Sequence, residues 1–437
     1  MPSVVSSPVR QAVVEVEPES PPPITFPDGG TKAWLNIAGC TLICLTAFGQ
    51  VNAFGVFQTY YATHQLSSFT ASDISWIGSI QILLLYLSGL ILGRIFDVYG
   101  ARGLLTSGCL LSTFSMMMLS LSTKYYQIFL SQGVGLGLGI ALQFYPLLVI
   151  PAHWFRKHRA IALGIVVAGS SIGGVVLPIM LSRLFDQIGF AWTVRTMGFM
   201  VFFLQAISIP LIKERLPPSK NTRFIDLSAL KDMKFVMHAC SGFFTAFGLF
   251  TPFWYIELFM LSRGSSTNLA FYTVAIMNAA GAVGRITSGF FADRLGRFNT
   301  LIPVAFLQSI ACFAVWSTSE RIPESIVFAV IFGFASASYS SLASSCVAQI
   351  TEDPSQIGSR TGMFMVAMSP GIFAGPPISG AILSFQSTRS AATAGGGDGD
   401  KSYLGLQMFC GVCLLVGAGF AVVGRVMVGR GRGLVKV

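Results

Sequence analysis

Long apolar runs separated by short polar breaks dominate the chain. A helix crossing the hydrocarbon core of a bilayer needs about 20 mostly apolar residues. Twelve runs reach that length, at 34–58, 74–96, 103–123, 126–150, 160–182, 192–212, 236–261, 268–291, 299–318, 325–349, 361–385 and 404–427. Between the sixth and seventh lies "KERLPPSKNTRFIDLSALKDMK", the longest polar stretch between runs, with Pro217 and Pro218 adjacent. The pattern predicts an all-α membrane protein of twelve transmembrane helices in two six-helix bundles. The bundles are expected at 33–213 and 236–428, joined by a polar linker at 214–235. Residues 1–32, rich in proline, serine and acid, read as a disordered tail, and 429–437 as a short second tail. The first apolar run, rather than a cleavable leader, is expected to target the chain to the membrane.

Composition sharpens this picture. Hydrophobic residues make up 53% of the chain and charged residues only 11%, whereas a soluble domain carries about 25% charged residues. The mean hydropathy is +0.69. A formal charge of +10 would fit a nucleic-acid partner only if the basic residues clustered, and they sit instead in short loops. Of the 28 lysines and arginines, 21 fall on the side of the two termini and 7 on the other. The positive-inside rule then makes both termini and the linker cytoplasmic, with the plasma membrane as the expected location. The lipid bilayer is the expected surrounding, with no nucleic acid and no cofactor.

A repeat explains the charged breaks. "GRIFDVYGAR" at 93–102 and "GFFADRLGR" at 289–297 share a glycine–aspartate–glycine–arginine spacing. Gly93 and Gly289, Asp97 and Asp293, and Gly100 and Gly296 are each 196 residues apart, with Arg102 and Arg297 closing the two motifs. A second pair agrees: Arg159 precedes Gly174 by fifteen residues, as Arg360 precedes Gly375. The chain is therefore expected to be a duplicated six-helix unit. The glycines permit close helix approach and a tight turn, the aspartates can accept from amides at a helix N-terminus, and the arginines can pair with them. Both motifs are expected to act as gating loops.

The paired loop motif resembles the signature of the major facilitator superfamily. "DGGTKAW" at 28–34 and "WFRKHRAIALGIVVAGSSIGG" at 154–174 are similar to two motifs of its monocarboxylate porter family. "SWIGSIQ" at 75–81 and "AGPPISGAI" at 374–382 give the resemblance the character of the fungal branch. The resemblance implies the major facilitator fold: two pseudo-symmetric six-helix bundles alternating around a midplane cavity, with no ATP site. It also implies a small-molecule substrate, drawn from organic acids, vitamins and secondary metabolites.

Ionisable residues within spans are costly and mark functional candidates. Arg285 lies eight residues before Asp293, about 12 Å along a helix, too deep to reach water comfortably. By resemblance it matches an arginine with which animal monocarboxylate porters hold a carboxylate, a planar group suited to a guanidinium fork. Two departures weaken proton–lactate symport: Gly281 stands where those porters carry an aspartate, and Asn52 stands near their lysine. Asn52, Gln143, Tyr145 and Tyr339 are candidate cavity residues beside Arg285. Glu257 is the candidate proton site, because burial favours its neutral form.

Other apparent motifs fail on context. "GSSIG" at 169–173 lies in a membrane helix, not at a strand–helix elbow. "GVGLGLG" at 133–139 has no preceding strand, so both stretches read as small residues for helix contact. Cys410 and Cys413 form a C-x-x-C with no second pair, and the four histidines show no ligand spacing. An enzyme is therefore not expected. The leading reading is a secondary transporter of an organic anion or carboxylate-bearing metabolite; the alternative is an efflux pump for a neutral or bulky secondary metabolite. Cysteines introduced at Ser67 and Ser219 should react with an impermeant maleimide from opposite faces of sealed vesicles. Labelling of both from one face would contradict twelve spans.

Overall fold

The computed structural model describes residues 26–69, 71–215, 229–353, 356–393 and 403–429. Most of the expected N-terminal tail, the middle of the linker and residues 430–437 lie outside the described residues. Among those described, every regular element is helical. The chain runs through α1 (Thr31–Asn52), α2 (Phe54–Thr63), α3 (Ala71–Leu87), α4 (Gly89–Tyr99) and α5 (Ala101–Leu119). It continues through α6 (Tyr125–Ile128), α7 (Gly137–Trp154) and α8 (Arg159–Ser208), with a π-helical stretch at Phe129–Leu136 joining α6 to α7. A short 3-10 turn (Ile209–Leu211) ends α8, and the remaining elements are α9 (Met233–Leu249), α10 (Thr251–Ser262), α11 (Thr267–Leu295), α12 (Arg297–Ile310) with a π-helical extension (Ala311–Trp316), α13 (Ile322–Ile350), α14 (Ile357–Thr393) and α15 (Leu404–Gly429).

Nine described helices are long and apolar enough to cross a membrane, and α3 with α4, bent by 47°, makes a tenth. Two differences from the expected twelve have visible causes. The 50-residue α8 holds two expected spans joined at Gly189, whose φ of 70° and ψ of 172° break the helix. Helix α5 has 19 residues, but Arg102 and its serines and threonines dilute its hydropathy.

Backbone-to-backbone contact is made by small residues. A side chain at Gly169 or Gly173 would collide with the carbonyl oxygens of Thr41 or Leu45, so α1 and α8 touch along their backbones. In the 133–139 stretch, Gly137 approaches Gln81 and Gly139 approaches Ser112 in the same way. The glycine-rich stretches thus act as helix-contact surfaces.

Buried polar groups serve the packing. Gln143 donates to Ser112 Oγ at 3.1 Å and accepts from Gln205 Nε2 at 2.8 Å, and Gln205 also donates to Thr46 at 2.9 Å. Four helical segments are tied by this one network. Tyr145 donates from its hydroxyl toward the carbonyls of Leu85 and Tyr86, at 3.0 and 2.9 Å. Those carbonyls lie where α3 bends into α4, so the phenol ties α7 to the bend. Tyr339 is fully buried with its hydroxyl 2.9 Å from Ser241 Oγ. Tyr145→Phe removes the donor but keeps the ring, and should destabilise the protein by about 1–2 kcal/mol. Thermal unfolding in detergent measures this; an unchanged midpoint would show that the bend does not need the hydroxyl.

Candidate functional site

A cavity of about 1210 Å³ lies between α1, α2, α3 and α8 on one side and α10, α11, α13 and α14 on the other. It starts at Thr63 of α2 and the adjoining His64, Asp186 of α8 and Thr267 of α11, and runs inward to Tyr86, Leu148 and Arg285. Aromatic side chains such as Phe48, Trp76, Phe144, Trp254 and Phe271 make much of its wall.

Of the expected residues, the cavity brings together Asn52, Glu257 and Arg285. Arg285 Nε donates to Ser171 Oγ at 3.2 Å, which fixes the guanidinium across the α8–α11 contact. Its Nη1 is buried without a hydrogen-bond partner, and no carboxylate pairs with it among the described residues. Desolvating a charge without a counter-ion is costly, so this group is set to receive an anion or an electron-rich oxygen. Glu257 is half-buried in the wall contributed by α10.

Gln143, Tyr145 and Tyr339 do not line the cavity. The expectation that they face substrate is corrected by the hydrogen bonds described above, which turn them into the helix packing. Among the lining residues that the sequence pattern did not single out are Ser171, within the 169–173 stretch, and Asn278. Asn278 lies seven residues before Arg285, two turns along the same helical face. That spacing was the available signal.

The end of the molecule opposite the cavity mouth is closed by the duplicated motif. Asp97, on α4, accepts from the amide of Ser359 at the start of α14, at 2.8 Å. Asp293, on α11, accepts from Ala160 N at 3.0 Å and Ile161 N at 2.9 Å at the start of α8. Each aspartate thus caps a helix N-terminus contributed by the other copy of the repeat, where the helix dipole favours an anion. The first glycines allow the approach: a Cβ at Gly93 would collide with Gly358 O, and one at Gly289 would lie 2.6 Å from Ala160 O. The second glycines make the turns, with φ of 80° at Gly100 and 104° at Gly296.

The arginines meet the expectation only in the second copy, where the charges of Arg297 and Asp293 act on each other without a direct ion pair among the described contacts. Arg297 donates from Nη2 to the Arg156 carbonyl at 3.3 Å. Arg102 is exposed, and its backbone amide donates to Glu214 at 3.3 Å. Arg159 Nη1 reaches from α8 to the Ala348 carbonyl of α13 at 3.0 Å. The aspartates accept from helix-terminal amides, as expected.

The two other resemblance motifs form one physical unit. Asp28 Oδ1 accepts from the amides of Arg156 and Lys157, each at 2.6 Å, while its own amide donates to Trp154 O at 3.1 Å. Trp34 packs on Phe155 with ring centroids 5.2 Å apart. The segment before α1 is thereby pinned to the loop whose following residues Asp293 caps.

A helical chain with a cavity between its two motif-bearing halves, closed at one end by reciprocal caps, has the architecture of a membrane transporter. Residues 39–322 match the Major Facilitator Superfamily, and the chain belongs to that family. It is 43% identical over 385 residues to the aspyridones efflux protein of Emericella nidulans, covering 88% of this chain and 78% of that protein. It is 38% identical over 426 residues to an MFS transporter of Aspergillus flavus, covering 96% and 91%. The agnestins efflux protein of Paecilomyces divaricatus is 37% identical over 430 residues, covering 98% and 95%. The fold is shared with the human organic anion transporter MFSD10, at a TM-score of 0.69 and 15% identity, over 90% of this chain and 100% of that one. These relatives are named for efflux or for the superfamily at large rather than as monocarboxylate porters, so the finer resemblance gives way to the broader family. The chain is a transporter, not an enzyme.

Gly289→Val should force α11 away from α8 at the closed end and lower transport at least about tenfold, by analogy with overpacked cores. Gly103 has nothing within 4 Å of an added Cβ, so Gly103→Val is the matched control and should transport normally. Equal activity of the two variants in reconstituted vesicles would contradict the close-approach role.

Proposed function

We propose that this chain exports a bulky secondary metabolite across the plasma membrane, with Arg285 holding an acidic or electron-rich oxygen of that metabolite. The cavity carries this reading: about 1210 Å³ of largely aromatic and apolar wall with an unpaired guanidinium at its deep end. Pockets of about 300–1,000 Å³ accommodate drug-sized ligands, so a small monocarboxylate would leave most of this wall without contact. The names of the relatives that export aspyridones and agnestins support efflux over uptake of a small acid. The efflux alternative therefore becomes the main reading, and the acidic group survives within it as the partner of Arg285.

In this reading twelve spans form bundles at 33–213 and 236–428, joined by a cytoplasmic linker at 214–235, with both tails, 1–32 and 429–437, cytoplasmic. The end capped by Asp97 and Asp293 is then the cytoplasmic gate. The conformation described is outward-facing, and the loop glycines and arginines act in gating rather than in binding. Asn52 lies beside the substrate path. Glu257 supplies a carboxylate in the cavity wall through which an inward proton flux can drive export.

The first test compares the metabolite content of medium and cells with and without the transporter. Loss of the chain should raise the cellular share of one metabolite. For that metabolite, Arg285→Lys keeps the charge but loses the fork and should weaken binding partially. Arg285→Gln should weaken it roughly ten- to a hundredfold, since a charge-assisted hydrogen bond contributes about 1.5–3 kcal/mol. A folded, membrane-inserted Arg285→Gln protein with unchanged affinity would contradict the assignment and leave a neutral metabolite as cargo.

A further inference from the structure

We infer that the cavity contains a second polar subsite, a notch at Gly174 between Asn52 and Asn278, that takes the hydrogen-bonding edge of a lactam or similar cyclic amide. The inference rests on the exporter reading and deepens it, because it names a chemical group of the cargo.

Three helices meet at the notch. Asn52 ends α1, Gly174 lies on α8 and Asn278 on α11, and all three line the cavity. A Cβ built at Gly174 would lie 2.7 Å from Asn52 Nδ2 and 2.8 Å from Asn278 Oδ1. The two amides therefore pack over Gly174 so closely that even a methyl group there would displace them, and at the cavity wall they bring a donor and an acceptor together. Their orientations follow from their other bonds. Asn278 Nδ2 donates to the Val274 carbonyl at 3.1 Å and Asn52 Nδ2 to the Ser170 carbonyl at 3.3 Å. Flipping either amide would set oxygen against oxygen.

One hydrogen of Asn52 Nδ2 and the Oδ1 of Asn278 remain unused among the described residues. Asn278 is only 6% exposed, and the surface it keeps is part of the cavity wall, where a donor from a ligand can reach its oxygen. No hydrogen bond joins the two amides to each other, so a ligand can engage both.

The complementary group has an acceptor next to a donor on one edge. A cyclic amide supplies this because its ring holds the C=O and N–H on the same side. An open-chain trans amide points them in opposite directions. Asn278 and Arg285, seven residues apart on α11, are separated by about 10.5 Å along the axis. The cargo then carries a lactam edge and an acidic oxygen at opposite ends of a span of that order.

Three probes test this on the purified full chain in nanodiscs: a δ-lactam bearing a heptanoate chain, the δ-lactone of the same skeleton, and the lactam with the carboxylate replaced by methyl. Lactone oxygen in place of N–H removes the donor without changing size. The parent should bind the lactam acid about three- to tenfold more tightly than the lactone acid, the range for one neutral hydrogen bond. Asn278→Leu and Gly174→Ala should abolish that preference while keeping the preference for acid over its methyl analogue, which also certifies that each variant is folded. Arg285→Gln should do the reverse. Equal binding of lactam and lactone acids by the parent, or a lactam preference that survives Asn278→Leu, overturns the notch. A lactam preference with no acid preference supports the notch and sinks the role of Arg285. Failure of the parent to bind any probe overturns both.

Discussion

A carboxylate at the N-terminus of a helix from the opposite repeat is the interaction on which the rest of the structure depends. Asp97 caps α14 and Asp293 caps α8. The backbones at Gly93 and Gly289 must come close for those caps to form. An anion at a helix N-terminus contributes about 0.3–1 kcal/mol when exposed and up to about 2 when partly buried. Two such caps hold one end shut firmly enough to define a conformation and weakly enough to release on a transport timescale. A larger hydrophobic seal would not have that reversibility.

The cavity follows from this closure. With α4 held to α14 and α8 held to α11 at the capped end, the space between the repeats opens toward the far ends of α2 and α10. Arg285 lies where the two regions meet: its carbonyl oxygen blocks any side chain at Gly164, while its guanidinium is steadied by Ser171. The guanidinium proposed to meet the cargo therefore belongs to a residue of the α8–α11 contact. In the proposed mechanism, α8 and α11 would couple movement at the gate to occupancy of the cavity without a separate relay.

Much of this was legible in the sequence because it is periodic or duplicated. Apolar length revealed the spans, the 196-residue offset revealed the duplication, and depth within a span marked Arg285. What stayed hidden was the direction of side chains on helices that are apolar on all sides. Gln143, Tyr145 and Tyr339 are polar residues in apolar runs, as Asn52 and Asn278 are. No hydropathy pattern separates a glutamine that ties helices from an asparagine that faces a cavity; only the positions of neighbouring helices do. That Asp97 and Asp293 accept from helix N-terminal amides was legible, but which helices they cap was hidden for the same reason. The amides used are 132 and 262 residues away.

Pulsed electron-electron resonance on two spin-label pairs tests the reciprocal caps most directly. Tyr99 and Glu352 are exposed at the capped end, and Ser67 and Ser266 are exposed at the open end. The parent protein should show a short distance at the first pair and a long one at the second. In the Asp97→Asn, Asp293→Asn double variant, a longer component should appear at the first pair together with a shorter component at the second. Distributions identical to the parent at both ends would contradict the role of the caps in holding the conformation.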